Sequence, residues 1–378
     1  MIGCFSGPKR PTAAQNIAGP ADYFERVLAV AAAACECSEA VTKSIHIGGG
    51  KRATIHFCDS ALENLLFPAV AHQELSEEKI ETNFKILACD SAHSGIPMRS
   101  PPWTNQDYVS SGDIVRYNNE GFCAFFQLGI LRLYDVNRRI GLWWTRDYTQ
   151  LPLHERAAPF LILFHWCHAL GGDSSFLIHA AAIGSEDRGA VLLAGRGGSG
   201  KSTTALASLL DDTWSYLADD YCVVRAGAER PTVHSLYCSA KLDAKTLAAF
   251  PALSRRVSLY EIGREPGGKI GFDLYRSFPE SFRRELPLRA MVLPRVSKEN
   301  NNEGQPRFTR VGSGAAARAL APSTLFQLPG VGANNFRMIA ALTNRIPSFQ
   351  LALGGEPALV PRFLQQFMQG LGRSMKPG

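Results

Sequence analysis

The chain has 378 residues, of which 46% are hydrophobic, and its formal net charge is +6. This length suits one large domain or two smaller ones, and the composition is typical of a soluble globular protein. The modest positive charge suits ligands that carry phosphate, or an acidic peptide, but lacks the basic density of a nucleic-acid-binding protein. No apolar run is long and uninterrupted enough to span a bilayer. Neither nucleic acid nor a membrane is therefore expected as a partner.

Nine cysteines are scattered along the chain without a C-x-x-C pair. No secretory segment is recognisable, so reduced thiols and a cytoplasmic location are expected. The spacing of cysteines and histidines indicates no zinc site, which leaves Mg²⁺ at a nucleotide as the expected metal.

Residues 1–150 are interpreted as an N-terminal accessory domain, smaller than the rest of the chain. Helical composition covers residues 21–34 and 61–72. Alternating runs rich in β-branched and aromatic residues predict a mostly antiparallel sheet; they are residues 51–58, 84–89, 113–117, 122–134 and 139–144. This region contains no catalytic constellation, so its predicted role is substrate recognition or scaffolding.

Residues 151–378 are predicted to form the second domain. Residues 159–170 predict a buried helix whose His165 and His168 are interpreted as core residues. Residues 176–183 predict an apolar strand that carries His179. By itself, a histidine in such a strand is usually a core residue with satisfied hydrogen bonds. A functional role for His179 therefore depends on the motifs that come after it in the chain.

The spacing Gly195-x-x-x-x-Gly200-Lys201-Ser202 fits the pattern of a phosphate-binding loop. Residues 190–194 predict a strand buried on both faces, and residues 203–210 predict a helix. Glycines let backbone N–H groups turn inward around an anion, and the helix N-terminus adds its positive dipole end. The predicted nucleotide-binding residues are Gly195, Arg196, Gly197, Gly198, Ser199, Gly200, Lys201, Ser202 and Thr203. Lys201 would contact the β- and γ-phosphates of ATP, and the Ser202 hydroxyl would bind Mg²⁺.

Residues 216–224 predict a strand that carries the pair Asp219-Asp220. Two carboxylates in an apolar strand are costly to bury unless a positive charge lies beside them, and Mg²⁺ with a phosphate loop supplies one. Successive side chains of a strand face opposite ways, so one aspartate can hold the metal while the other acts as a general base. Ser202 and Asp219 are assigned to the metal, and Asp220 and Asp219 both stay candidates for the base. The alternative is a strand end with two solvated carboxylates.

Further elements are predicted in the C-terminal part of the chain. Strands are expected at residues 232–239, which lead to Lys241, and at 288–293 and 349–353. Helices are expected at residues 242–250, 315–320, 334–343 and 361–371, and a mobile loop at 263–269. Arg283, Arg284 and Arg289 surround Pro287, and one of them is a candidate to neutralise charge on a transferred phosphoryl group.

His179-Ala180, the loop from Gly195 to Ser202 and the pair Asp219-Asp220 together resemble the kinase domain of bacterial HPr kinase/phosphorylase, whose superfamily shares its core with phosphoenolpyruvate carboxykinase. The resemblance implies an α/β fold with a P-loop core of this type behind a smaller N-terminal α+β domain. It also implies that His179 lies beside the reacting phosphate, and that an aspartate of the pair is the catalytic base. Thr203 stands where HPr kinase has a glutamate, and the family's later glycine-rich signature is not recognisable. Both departures argue against HPr as the substrate and against phosphorylase activity.

A closer resemblance is to the HPr-kinase-like proteins of lasso-peptide biosynthesis. It runs through Pro101-Pro102-Trp103, residues 177–182, His234 to Tyr237 with Lys241, residues 287–295 and residues 320–324. It implies a kinase that uses ATP and Mg²⁺ to phosphorylate the C-terminal residue, commonly serine, of a precursor peptide. HPr kinases form rings, so a homo-oligomer is left open. The alternatives are a small-molecule kinase, for example of free serine, and a regulator that binds ATP without transferring phosphate.

Overall fold

The computed structural model of the protein describes residues 20–36, 39–76, 81–99, 101–109, 112, 114, 121–227, 230–266, 268–296, 305–328, 332–353 and 357–374. The strand predicted at residues 113–117 lies outside the described residues except for Ile114, which forms an isolated bridge with Tyr108. Within the described part of the chain, no helix combines the length and the apolar character needed to cross a membrane.

The first part of the chain forms a mixed sheet with short flanking helices. In chain order its elements are α1 (Pro20–Ala34), β1 (Val41–Gly48), β2 (Lys51–Phe57), α2 (Ser60–Leu66), β3 (Phe84–Asp90), α3 (Ser91–Ser94), β4 (Phe122–Gln127), β5 (Ile130–Asp135) and β6 (Ile140–Thr145). A 3₁₀ helix, Phe67–Gln73, follows α2, and shorter 3₁₀ turns cover Asn105–Asp107 and Tyr148–Gln150. The strand order is β1-β2-β3-β6-β5-β4.

Three of the five strand pairs are antiparallel, as the prediction of a mostly antiparallel sheet expects, but the centre of the sheet is parallel. There β3 pairs in parallel with β2 on one side and with β6 on the other. The helical segment between β2 and β3 is the reason, because it carries the chain back so that β3 runs in the direction of β2. The run predicted at residues 122–134 is two strands, which turn at Leu128 and Gly129, both with positive φ.

The second part of the chain builds a larger sheet, a small three-stranded sheet and most of the helices. Its elements are α4 (Leu153–Ala157), α5 (Leu161–Ala169), β7 (Ser175–His179), β8 (Ala181–Ser185), β9 (Gly189–Leu193), α6 (Lys201–Ser208), β10 (Ser215–Ala218), β11 (Tyr221–Arg225), β12 (Thr232–Ser235), β13 (Ser239–Leu242), α7 (Ala244–Ala249), α8 (Pro251–Val257), β14 (Glu261–Arg264), β15 (Ile270–Asp273), α9 (Leu274–Ser277), β16 (Glu285–Val296), β17 (Arg307–Val311), α10 (Ser313–Gln327), α11 (Gly332–Arg345), β18 (Ser348–Leu353) and α12 (Val360–Ser374). Short 3₁₀ turns cover Ser258–Tyr260, Pro279–Ser281 and Pro357–Leu359.

Helices cover both faces of the larger sheet around β9. Val191 and Leu193 of β9 belong to an apolar cluster with residues of α6 and α12. Leu192, the residue between them, belongs to a second cluster with residues of α10 and α11. Alternate side chains of β9 therefore enter two cores, which confirms the prediction of a strand buried on both faces. The loop predicted at residues 263–269 connects β14 and β15, which pair as an antiparallel hairpin.

The two strands predicted at residues 176–183 and 216–224 are each broken in two. β7 ends at His179 and β8 begins at Ala181, while Asp219 and Asp220 separate β10 from β11. The larger sheet has the order β10-β8-β9-β16-β12-β11-β7; β18 also pairs with β16, and β17 pairs with β18. The pair β8–β10 lies at one end of this order, and the pair β7–β11 lies at the other end. Both chain segments therefore cross from one end of the sheet to the other. His179 and the aspartate pair lie together at this corner.

Helix α5 connects the two parts of the chain through its packing. Leu163, Phe164 and Trp166 belong to the same apolar cluster as the strands of the first sheet, and this cluster also includes Leu177 and Val223. His168 is buried and bonds to Ser175 and to the carbonyl of Ile47, which confirms its interpretation as a core residue. The division of the chain at residue 150 stays a prediction.

Candidate active site

Residues 194–200 connect β9 to α6 and place three glycines in backbone conformations that other residues avoid. Gly195, Gly198 and Gly200 have φ values of 154°, 74° and 102°. Gly200 caps α6, and no side chain of the described residues caps this helix end. The first N–H groups of a helix have no partner within the helix, so this end is suited to bind an anion. The predicted order of strand, glycine turn and helix is therefore present.

Gly200→Ala is expected to destabilise the protein. A Cβ at position 200 would lie 2.3 Å from Cδ1 of Leu353. The backbone φ of Gly200 would also be strained for any residue other than glycine. Gly197→Ala is the matched control, because a Cβ there meets no atom within 4 Å. Thermal denaturation should show a lower Tm for Gly200→Ala alone. Equal Tm values for the two variants would contradict this packing of the loop against β18.

Lys201 is held against the main chain of the loop. Its Nζ donates to the carbonyl oxygens of Gly195 and Arg196, at 2.8 and 3.3 Å. The side chain is buried, which lowers the pKa of its ammonium, while Asp219 and Asp220 act in the opposite direction. A buried lysine whose ammonium bonds to loop carbonyls beside two acidic neighbours is suited to contact a phosphate.

Asp219 is almost completely buried and only partly satisfied. Its side chain is 3% exposed, and the Ser202 hydroxyl lies beside it. Burial raises the pKa of Asp219 to about 7; the Asp220 charge adds to this, and Ser202 and Lys201 oppose it. Its Oδ1 has no hydrogen-bond partner among the described residues. An unsatisfied carboxylate oxygen beside a hydroxyl is the kind of oxygen donor set that Mg²⁺ prefers, so Asp219 and Ser202 fit the predicted metal role.

Asp220 has the opposite electrostatic environment. Its Oδ1 lies 3.8 Å from Nε2 of His179, and its Oδ2 lies 3.3 Å from Nζ of Lys241. Burial alone would raise its pKa, but the contacts with His179 and Lys241 outweigh burial and hold the pKa of Asp220 well below its usual range. The pKa values of these two adjacent carboxylates are therefore displaced in opposite directions. Such a difference lets two neighbouring acids take different chemical roles.

His179 is held in position by contacts of its backbone and of its ring. Its N–H donates to Oγ1 of Thr324 on α10 at 3.1 Å, which fixes the last residue of β7. The ring lies 5.1 Å from the ring of Tyr221, whose hydroxyl donates to Oε1 of Gln327 at 2.6 Å. α10 therefore supports both the histidine and the residue directly after Asp220.

Lys241 has no role predicted from the sequence, and the structure makes it a member of the site. It lies on β13 in the small sheet, opposite Gly271 of β15, and contacts Asp220. The available signal was a single lysine in an otherwise uncharged strand. The arginines near Pro287 contact other groups: Arg283 pairs with Glu186, and Arg284 donates to two main-chain carbonyls.

A cleft of about 300 Å³ is lined by Tyr221 and by Lys241, the partner of Asp220, and we call it the Lys241 cleft. Its walls combine aromatic, aliphatic and charged side chains from both parts of the chain. They include Phe125, Arg132, Glu155, Ile162, Tyr221, Lys241, Phe326 and Gln327. Arg132 and Glu155 form an ion pair in which both side chains are largely buried. Phe326 is 84% exposed, so a large apolar ring is available to a ligand at the edge of this cleft.

The apparent affinity for Mg²⁺ is expected to fall below pH 7. The pKa of Asp219 is raised to about 7, so the carboxyl is protonated below this pH and a metal must displace the proton. Each pH unit below the pKa then lowers the affinity about tenfold. Calorimetric titration with Mg²⁺ in the presence of a non-hydrolysable ATP analogue measures this. Asp219→Asn should bind Mg²⁺ weakly, and its Mg²⁺ affinity should lack this pH dependence. Any pH dependence that both proteins share belongs to the nucleotide.

Comparisons with known proteins add little information about function to what the geometry of the site indicates. No protein-family model and no curated protein matches this chain. Among solved structures, the chain is similar to the Hpr(Ser) kinase/phosphatase from Coxiella burnetii, with 12% sequence identity and a TM-score of 0.28. The match covers 52% of this chain and 98% of that chain. Similarity at this level establishes neither a family nor an activity, so the function rests on the site geometry.

Proposed function

We propose that this protein is an ATP-dependent kinase that phosphorylates a hydroxyl group on a peptide. The observation that carries the proposal is the contrast between Asp219 and Asp220 beside the glycine loop. Asp219 lies beside Ser202 at the start of α6, whereas Asp220 pairs with Lys241, which lines an open cleft. In this proposal Asp219 acts on the side of the nucleotide, and Asp220 acts on the side where an acceptor would bind.

The loop residues supply the nucleotide site in this proposal. Backbone N–H groups from Gly195 to Thr203 bind the phosphates of ATP, and Lys201 contacts the β- and γ-phosphates. Ser202 and Asp219 would hold Mg²⁺, which would neutralise phosphate charge. The described residues contain no cluster of three or more histidine, cysteine or acidic side chains that could hold a metal.

Asp220 supplies the base. Its carboxylate is kept ionised by His179 and Lys241, so it accepts the proton of the acceptor hydroxyl. The acceptor oxygen forms a bond to the γ-phosphorus while the bond from this phosphorus to the β-phosphate bridging oxygen breaks. ADP leaves with that electron pair. Most of the rate acceleration comes from positioning and charge complementarity, because phosphoryl transfer requires little covalent participation by the protein.

The Lys241 cleft is the proposed acceptor site. It shares Tyr221 and Lys241 with the surroundings of Asp220, and it offers apolar rings, including the exposed Phe326, to the residues that precede a terminal hydroxyl residue. The resemblance to the kinases of lasso-peptide biosynthesis motivates the finer proposal, which is phosphorylation of the C-terminal serine of a lasso precursor peptide. A kinase for free serine is the second candidate, since the cleft is also large enough for a single amino acid.

Incubation with labelled ATP, Mg²⁺, a panel of precursor peptides and free serine tests these candidates. The proposal expects a peptide product that is heavier by one phosphate group and modified at its terminal serine or threonine. Replacement of that residue by alanine should abolish the product. Faster consumption of free serine would favour the small-molecule kinase. Tight nucleotide binding without any phosphorylated product would favour a regulator that binds ATP.

A further inference from the structure

A second cleft lies between the tip of the β1–β2 hairpin and the strands β12 and β16, and we call it the Arg52 cleft. Its volume is about 340 Å³. Its lining is strongly basic and includes His46, Lys51, Arg52, His234 and Arg284, together with the acid Glu285. The Arg52 cleft shares no lining residue with the Lys241 cleft among the residues that the structure describes, so it is a separate feature of the molecule.

The hairpin tip is packed tightly, so this cleft is part of the fold. A Cβ on Gly48 would lie 2.9 Å from Cβ of Val223, and a Cβ on Gly49 would lie 2.8 Å from Cβ of Ser175. The backbone of the hairpin therefore touches β11 and β7 directly. Gly50, by contrast, has no atom within 4 Å of an added Cβ, and it lines the open side of the cleft.

Some of the positively charged side chains in this cleft have a carboxylate partner, and others have none among the described residues. Lys51 pairs with Asp173 at 3.1 Å, and His234 pairs with Glu285 at 2.9 Å. Within the described residues, no carboxylate lies within ion-pair distance of Arg52 or Arg284. Arg284 instead donates to the main-chain carbonyls of the 3₁₀ segment at positions 72 and 74, which hold its guanidinium in place.

The pKa of His46 agrees with this excess of positive charge. Burial lowers the pKa of His46, and Arg284 and Arg52 lower it further, while Glu285 opposes them. His46 and Arg52 are direct cross-strand partners in the β1–β2 ladder. Arg52 and Arg284 therefore both lie close enough to His46 to act on its charge, and all three residues line the cleft.

Gln73 adds a buried polar group to the lining. Its side chain is 1% exposed, and its Nε2 donates to the carbonyl of Ser235 at 2.8 Å. Among the described residues, its Oε1 has no hydrogen-bond partner. Buried amide oxygens are usually satisfied, so this acceptor is suited to a ligand that also carries a hydroxyl or ammonium donor.

From this arrangement we infer that the Arg52 cleft binds a small phosphate monoester. The guanidinium groups of Arg52 and Arg284 match the charge of a phosphate monoester, which is close to −2 at neutral pH. The planar donors of arginine match phosphate oxygens in paired hydrogen bonds. The organic part of such a ligand supplies the donor for Gln73. A volume of about 340 Å³ accommodates a small phosphate monoester such as phosphoserine.

Phosphoserine is the probe for this site, with ATP-site binding blocked by a saturating non-hydrolysable ATP analogue and Mg²⁺. Calorimetry should show saturable binding to the wild-type protein and none for serine. Arg52→Gln and Arg284→Gln should each weaken binding at least about tenfold, the effect of roughly 1.4 kcal/mol. Arg307→Gln is the matched control, because Arg307 is an exposed arginine of β17 outside the cleft, and its affinity should be unchanged.

Lys201→Ala separates this inference from the proposed kinase activity. Phosphoserine binding should survive in that variant, because Lys201 belongs to the glycine loop and not to the Arg52 cleft. Loss of binding in Lys201→Ala, or unchanged binding in Arg52→Gln, would overturn the inference even if the protein is a kinase. Arg52 is exposed, so its variant tests the site even if Arg284→Gln fails to fold. Tighter binding of a phosphoserine peptide than of phosphoserine would exclude the small-molecule assignment.

Discussion

Lys201→Ala is expected to reduce phosphoryl transfer at least a hundredfold while the fold persists. The variant removes the charge that would stabilise the transferred phosphoryl group, and loss of one preorganised contact of this kind costs about 3–4 kcal/mol at the transition state. It also removes the two hydrogen bonds from Nζ to the loop carbonyls of Gly195 and Arg196. The value of kcat/KM for ATP, measured beside circular dichroism, tests this expectation.

Lys245→Ala is the matched control for this variant. Lys245 is an exposed lysine on α7, so its loss changes the net charge equally without touching the loop. Its kinetics should match those of the wild-type protein. Wild-type turnover in folded Lys201→Ala would contradict the assignment of the loop as the nucleotide site.

Asp220→Asn is expected to lose nearly all transfer while its affinity for Mg²⁺ and ATP stays close to that of the wild-type protein. Asparagine keeps the shape of the side chain but cannot accept the hydroxyl proton, and a general base contributes about 10²–10⁴-fold to the rate. Asp219→Asn should also be nearly inactive, but for a different reason. Its carboxylate lies beside Ser202 and is the proposed metal ligand, so its loss should weaken nucleotide binding strongly.

Calorimetry with Mg²⁺ and a non-hydrolysable ATP analogue distinguishes the two aspartates. Equal losses of nucleotide affinity in both variants would show that neither is a dedicated base. Lys241→Met supplies a further readout, because Lys241 contributes to the low pKa of Asp220. Without this cation the pKa of Asp220 rises, so the acidic limb of the activity profile should move to higher pH. An unchanged profile would mean that Asp220 does not titrate as the base.

The local elements around the loop could be predicted from the sequence, because their determinants are close together in the chain. Glycine spacing determines where the backbone can adopt positive φ, as at Gly198 and Gly200. An uninterrupted apolar run determines that β9 is buried on both faces. The order of strand, loop and helix needs no distant partner, so composition and spacing were sufficient for it. The loop spacing identified Lys201, and the apolar strand identified the aspartate pair, whereas His179 became a candidate through the resemblance to HPr kinase.

Only the tertiary structure decided how these residues meet. An apolar run through Asp219 and Asp220 predicts a continuous strand, but pairing with β8 on one side of the pair and with β7 on the other breaks it at the carboxylates. Lys241, which lowers the pKa of Asp220, and Thr324, which holds His179, come from elements far along the chain. Burial and charge partners determine the opposite pKa shifts of two adjacent aspartates. Neither is encoded in local residue spacing, because both arise from segments that become neighbours only when the sheet folds.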